Sequence, residues 1–306
     1  MKMQLYILSI AIFLSLSAGN LYAQRMSVFS EEVDLADQES LEVNLQLNGG
    51  KVWFTKSPYD KLFMIEVEYN SEEMRPRFRY DSDDPSLSFR LISKDEEYED
   101  DDFEFNDDNF KFDFDGDDVN IGLSSVKKTS WDLKFTDKVP LNINLFSGAT
   151  KGNFDFTGMM ISNLNIETGA SKTFISFDEP NPIRMSEFNI SLGLAKFRGK
   201  HLLNANFENM TIEGGLGKST LDFTGETTEK CYVQMELSIS STIIILPRNI
   251  GVKIYADVSA FTSFDTKDLI EVEDDVYESP NWGETEGELV MDIEASIGFV
   301  EFIFED

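Results

Sequence analysis

Gly148-Ala149-Thr150-Lys151, Gly169-Ala170-Ser171-Lys172, Gly193-Leu194-Ala195-Lys196 and Gly215-Leu216-Gly217-Lys218 are four copies of one short pattern, at intervals of 21, 24 and 22 residues. Each copy sits in the same frame. Apolar-polar-apolar triplets precede it: Ile143-Asn144-Leu145, Leu164-Asn165-Ile166, Phe188-Asn189-Ile190 and Met210-Thr211-Ile212. Phe154-Asp155-Phe156, Ile175-Ser176-Phe177 and Leu221-Asp222-Phe223 follow it. Period-two alternation belongs to strands with one buried face, and the glycine-led segment between them reads as a tight turn. Self-similarity at such a period marks a solenoid, whose units bury their apolar faces against one another. The expected fold is all-β: a β-solenoid of stacked parallel coils with about 21–24 residues per rung.

The third copy is expected to break after its lysine, where Phe197-Arg198-Gly199-Lys200-His201 fills the slot. Degenerate rungs are expected at Val233-Gln234-Met235, running into Ile243-Ile244-Ile245-Leu246-Pro247, then at Val252-Lys253-Ile254. The last is expected at Met291-Asp292-Ile293 through Phe302-Ile303-Phe304. A weaker relative stands near the N-terminus, at Leu41-Glu42-Val43-Asn44-Leu45 with Gly49-Gly50-Lys51-Val52-Trp53-Phe54. Val, Ile, Phe, Tyr and Thr fill these segments, as stacked strands require.

Met1-Lys2-Met3, the apolar run Leu5–Leu16 and the small residue Ala23 before Gln24 have the layout of a secretory signal over residues 1–23. The run is short for a span of about 20 residues. The expectation is an exported protein, periplasmic or at the cell surface, with no membrane span once the signal is removed. Residues 24–135 read as an N-terminal β region with an acidic insertion at 95–118, and 136–306 as the repeat region with an acidic loop at 271–288. Asp95–Asp118 carries 14 acidic residues in 24.

Fifty-seven acidic against 26 basic residues give a net charge of -31, which excludes a nucleic-acid partner by repulsion of phosphates. Cys231 is the only cysteine, so no intrachain disulfide forms, and its neighbours Tyr232, Val233 and Met235 suggest a buried thiol. His201 is the only histidine; paired-His metal sites are excluded, and any Ser-His-Asp triad would need the broken rung. Asp113-Phe114-Asp115-Gly116-Asp117-Asp118 resembles a calcium loop, but Gly stands fourth instead of sixth and Ser124 occupies the twelfth position, where an EF-hand needs Glu. Asp155 and Asp222 are read as facing outward, with Ser176 and Gly199 aligned between them, and so not as the close pair that glycan hydrolysis needs.

No catalytic residue, metal ligand or cofactor is therefore assigned, and the chain reads as non-enzymatic. Lys151, Lys172, Lys196 and Lys218 would stack into a cationic ladder on an otherwise acidic protein. They are the candidate docking site for an anionic glycan, a peptide or an envelope protein; the competing reading is four solvated turn residues. Asn189-Ile190-Ser191 and Asn209-Met210-Thr211 fit a glycosylation sequon but fall in predicted strands.

With these residues in view, the chain resembles the toast-rack domain family, found in bacterial adhesin-like modules and in the C-terminal region of LiaF-type envelope-stress proteins. The likeness runs from Leu41 through Gly50-Lys51, Ile65-Glu66-Val67-Glu68-Tyr69 and Arg75-Pro76-Arg77-Phe78-Arg79-Tyr80. It resumes at Trp131-Asp132-Leu133 and Val139-Pro140-Leu141, then takes in the Gly-x-x-Lys rungs and Leu246-Pro247-Arg248-Asn249-Ile250-Gly251-Val252. The resemblance implies a secreted or envelope-associated β domain with no catalytic residues to carry over. Membrane-embedded LiaF-type members have a multi-span N-terminal half that this sequence lacks, so their signalling role is not carried over. The expected function is a cell-envelope or surface interaction module; the alternatives are a glycan-active enzyme on a β-helix scaffold and a purely structural envelope spacer.

Overall fold

The computed structural model describes residues 25–95, 112–115, 118–121 and 129–305, the two short pieces as backbone only. The expected signal at 1–23, most of the acidic insertion and the side chains of Asp113–Asp118 lie outside the described residues.

Strands β1 (Met26–Asp34), β2 (Leu41–Lys56), β3 (Lys61–Asn70), β4 (Met74–Asp81) and β5 (Ser86–Ser93) precede a separate hairpin, β6 (Phe112–Asp115) and β7 (Asp118–Ile121). Next come β8 (Ser130–Phe135), β9 (Leu141–Asp155), β10 (Ile161–Ser176), β11 (Met185–Lys200), β12 (Phe207–Asp222) and β13 (Lys230–Pro247). Four short strands follow, β14 (Gly251–Val258), β15 (Thr262–Asp265), β16 (Ile270–Glu273) and β17 (Val276–Glu278), and β18 (Glu288–Glu305) ends the series.

The long strands run in parallel in the spatial order β2-β9-β10-β11-β12-β13-β18. Each is a full rung. The glycine-led segment is a crease inside one continuous strand, where the expectation places a turn between two strands. Before the crease, Ile143, Leu164, Phe188, Met210, Val233 and Met291 form one buried column in register. Beyond it, Phe154, Ile175, Leu221, Ile244 and Phe302 hold the corresponding inward positions. The two halves thus fold over a shared interior. Aromatic rings bridge successive rungs there, with Phe54 to Phe156 at 5.2 Å and Phe156 to Phe177 at 5.4 Å between centroids.

Close approach, not positive φ, explains the glycines that lead the repeats. A Cβ on Gly215 would lie 2.6 Å from the carbonyl oxygen of Gly193, and one on Gly193 would lie 2.9 Å from that of Gly169. Only hydrogen fits where these creases nest in the one before.

The third rung is not broken. Lys196 pairs with Lys172 and Lys218, and β11 runs unbroken to Lys200. Gly199 occupies the inward slot held by Ile175 and Leu221 on either side. The missing side chain is replaced by Leu202, whose Cδ2 lies 2.8 Å from where a Cβ would stand. Leu202 belongs to a 3-10 turn, Leu202–Ala205, entered through His201 in the left-handed region at φ 54°. The order of the last rungs also differs from the order of the sequence. β18 inserts between β13 and β14, pairing in parallel with both.

Both ends of the stack are closed alike. At one end β5 and β8 pair with the two halves of β2, and at the other β14 and β15 pair with the two halves of β18. Antiparallel partners then cover three of these four half-strands: β4 on β5, β3 on β8, and β17 followed by β16 on β14. Part of the acidic 271–288 segment is therefore a capping hairpin. Such closure keeps long edge strands from pairing with other chains.

Candidate functional site: two outer faces of opposite charge

The rung register brings the expected lysines together and adds one. Lys51, Lys151, Lys172, Lys196 and Lys218 are consecutive Cα partners across β2, β9, β10, β11 and β12. All five are exposed. Four inter-strand steps make the column about 19 Å long. Among the described residues none of the five forms an ion pair. The positions two residues further along their strands are Trp53, Asn153, Phe174, Arg198 and Thr220, which include no carboxylate. Trp53 is 43% exposed, and the Arg198 guanidinium lies 5.9 Å from the centre of the Phe174 ring. Lys51 comes from the weaker N-terminal relative, Gly49-Gly50-Lys51, and the register makes it a full member of the column.

The outer face before the crease is different. Asn44, Asn144, Asn165 and Asn189 stand in one column. From Asn189 back to Asn144, each side-chain nitrogen donates to the amide oxygen of the preceding rung's Asn at 2.8–2.9 Å. The chain ends where Asn44 Nδ2 donates to Glu42 Oε1, so every dipole points the same way, toward an anion. Beside this ladder runs an acidic column, Glu167, Glu213, Glu236, Glu294 and Asp257, interrupted by Ser191. Asn144, Asn165 and Asn189 of the ladder and Glu167 and Glu213 of the acidic column line a groove of about 440 Å³. On the central rungs the lysine column thus stands beyond the crease and the acidic column before it.

The remaining sequence candidates take structural places. Asp155 and Asp222 begin the loops that return the chain to the next rung. Asp155 Oδ1 accepts from Thr157 N at 3.0 Å and Asp222 Oδ1 from Thr224 N at 2.8 Å. They lie on β9 and β12, three strands or about 14 Å apart, beyond the spacing of a glycosidase pair. The residue between them on β11 is Lys200, since Gly199 pairs with Leu221; the expected alignment with Gly199 is one residue out. His201 Nδ1 lies 3.1 Å from Asp178 Oδ1, which accepts a hydrogen bond from Lys200 Nζ at 2.8 Å. The Lys200 hydrogen bond holds the Asp178 carboxyl below its ordinary value, against some desolvation. Cys231 is buried, and burial pushes its thiol up. Asn189 and Asn209 lie within β11 and β12.

Residues that sequence reasoning misses organise the return loops. Asn181, 3% exposed, donates to Ile161 O at 2.7 Å and Ala205 O at 3.1 Å, and its Oδ1 accepts from Ile161 N at 3.2 Å. One side chain thus ties three successive return loops together. Its loop carries no period that a repeat search would find. Among the described residues no group of three or more His, Cys, Asp or Glu side chains could hold a metal ion, and no helix is long and apolar enough to cross a membrane.

Three solved structures are similar to this chain over most of its length. A "putative cell adhesion protein" from Clostridium sporogenes ATCC 15579 is 18% identical, with 92% of this chain and 100% of that chain covered and a TM-score of 0.46. A "putative adhesin" from Bacteroides fragilis NCTC 9343 is 9% identical, covering 90% and 97% of the two chains with a TM-score of 0.39. Another from Parabacteroides merdae ATCC 43184 is 10% identical, covering 90% and 96% with a TM-score of 0.33. No curated protein matches the chain. The family model described as the N-terminal domain of toast_rack, DUF2154, matches residues 23–199. That is more than half of the chain, and the protein belongs to the toast-rack family.

Proposed function

We propose that this protein is an exported, non-enzymatic interaction module of the cell envelope or surface, and that its lysine face docks a linear anionic partner. One observation carries the reading: five lysines in register, exposed and without carboxylate partners among the described residues, on a chain of net charge -31. Like charges one strand apart repel, and so many acidic residues offer ready partners elsewhere. A column kept free of them is suited to an external anion. The separation of Asp155 from Asp222, and their place at loop starts, supports a binding role over glycan cleavage.

A polymer with one carboxylate per repeat unit can meet the column rung by rung, because parallel strands recur at about 4.8 Å. Polygalacturonate and poly-glutamate are the probes. At about 0.5 kcal/mol per exposed contact, replacing all five lysines by glutamine should weaken binding by about 2.5 kcal/mol, roughly seventyfold. Binding should also fall with added salt. Equal affinity of the five-lysine variant and the parent protein for both polymers, or no binding by the parent at low salt, would overturn the proposal.

A further inference from the structure

Along the crease itself runs a second column that the lysine face does not use. Leu216, Ile239 and Ile297 are 47%, 49% and 48% exposed and are consecutive Cα partners on β12, β13 and β18. Leu194 of β11 continues the column on one side. On the other, Phe261, 79% exposed, precedes β15 and accepts a hydrogen bond from Gly298 N through its carbonyl. The same position on β9 and β10 holds Ala149 and Ala170, both buried. In this column, large apolar side chains therefore stand where the crease is open to water, which is the reverse of what solubility favours.

We infer that this ridge is the contact by which two copies of the chain associate, side by side and in parallel. Charge decides the partner and its direction. Three residues before Leu216 stands Glu213 on the acidic face; two residues after it stands Lys218 on the cationic face. A twofold axis along the stack sets ridge against ridge at the same rung and puts the Lys218 side of each copy beside the Glu213 side of the other. A twofold across the stack through Ile239 would instead place Glu236 beside Glu236 and Glu213 beside Glu294, and would leave Lys218 beside Phe299 with no carboxylate to meet. Glu236 and Glu294 continue the acidic flank, which excludes an anionic lipid surface as the occupant. The net charge of each copy is screened beyond about 8 Å at physiological ionic strength. In such a pair Lys51, Lys151 and Lys172 of both copies stay open, and the polymer meets all five lysines only at protein concentrations where the chain is monomeric.

Sedimentation velocity of residues 24–306 over a range of concentrations tests this. The parent protein should show a concentration-dependent dimer. Ile239→Glu, which places a charge on an already exposed position, should give a monomer with unchanged circular dichroism. Lys218→Glu alone turns two symmetric attractions into repulsions and should weaken the dimer roughly thirtyfold. Adding Glu213→Lys in the same chain should restore it. A parent protein that stays monomeric to its solubility limit overturns the inference. So does a dimer that Ile239→Glu leaves intact, or one that the double reversal fails to rescue. Polymer binding by a monomer would leave the lysine-face proposal standing, so the two fail separately.

Discussion

At the scale of single residues, what the repeat demands is space at its glycines. The Gly215 position leaves 2.6 Å to a backbone oxygen, and a carbonyl in a sheet cannot swing aside as a side chain can. Gly215→Ala should lower stability by about 1–3 kcal/mol, read from urea unfolding. Lys218→Gln, three residues on, should leave it nearly unchanged, and equal losses at the two positions would contradict the nested crease. Lys200 and Asp178 give a pH signature whose sign follows from the lowered carboxyl. Their contribution is complete above the ordinary carboxylate range and is lost as pH falls through the lowered value. Both groups are at least a third exposed. Replacing Lys200 by Met should therefore remove only about 0.2–1 kcal/mol at neutral pH, and nothing in acid.

At the scale of elements, the rungs are legible because period-two triplets and a glycine crease recur with little drift. What escapes is whatever depends on partners distant in sequence. The Phe197–His201 slot reads as broken because Gly199 has no side chain; nothing local announces that Leu202 will fill the hole from the following loop. The alignment of Asp222 slips by one residue for the same reason. Reading rungs in chain order also fails at the end of the stack. β14, β15, β16 and β17 all precede β18 in the chain, yet β18 pairs with β13 on one side and with β14 on the other. Hydrophobic pattern identifies each strand but carries no record of such an exchange of neighbours. Removing residues 288–306 therefore takes away an inner rung and bares both β13 and β14. The truncated chain should lose its single cooperative unfolding transition, whereas a chain that merely lost a terminal rung would keep one.

At the scale of the whole molecule, stacking turns a short sequence repeat into surfaces with long-range order. One register produces the amide ladder, the acidic column, the apolar ridge and the lysine column together, and it sorts their charges onto opposite sides of the crease. The lysine column is legible in the sequence because its members recur at the rung period. The sorting is not, because it depends on which face each half-strand turns outward.

The most direct test of the stacked register is the distance between nitroxide labels placed at Lys51 and Lys218 and measured by dipolar electron paramagnetic resonance. These positions are far apart in sequence but only four strands apart in the stack. Rungs stacked in this order predict a narrow distribution centred at about 19 Å, widened by label rotamers by roughly the length of a side chain. A broad distribution, or one centred at twice that separation, would contradict it.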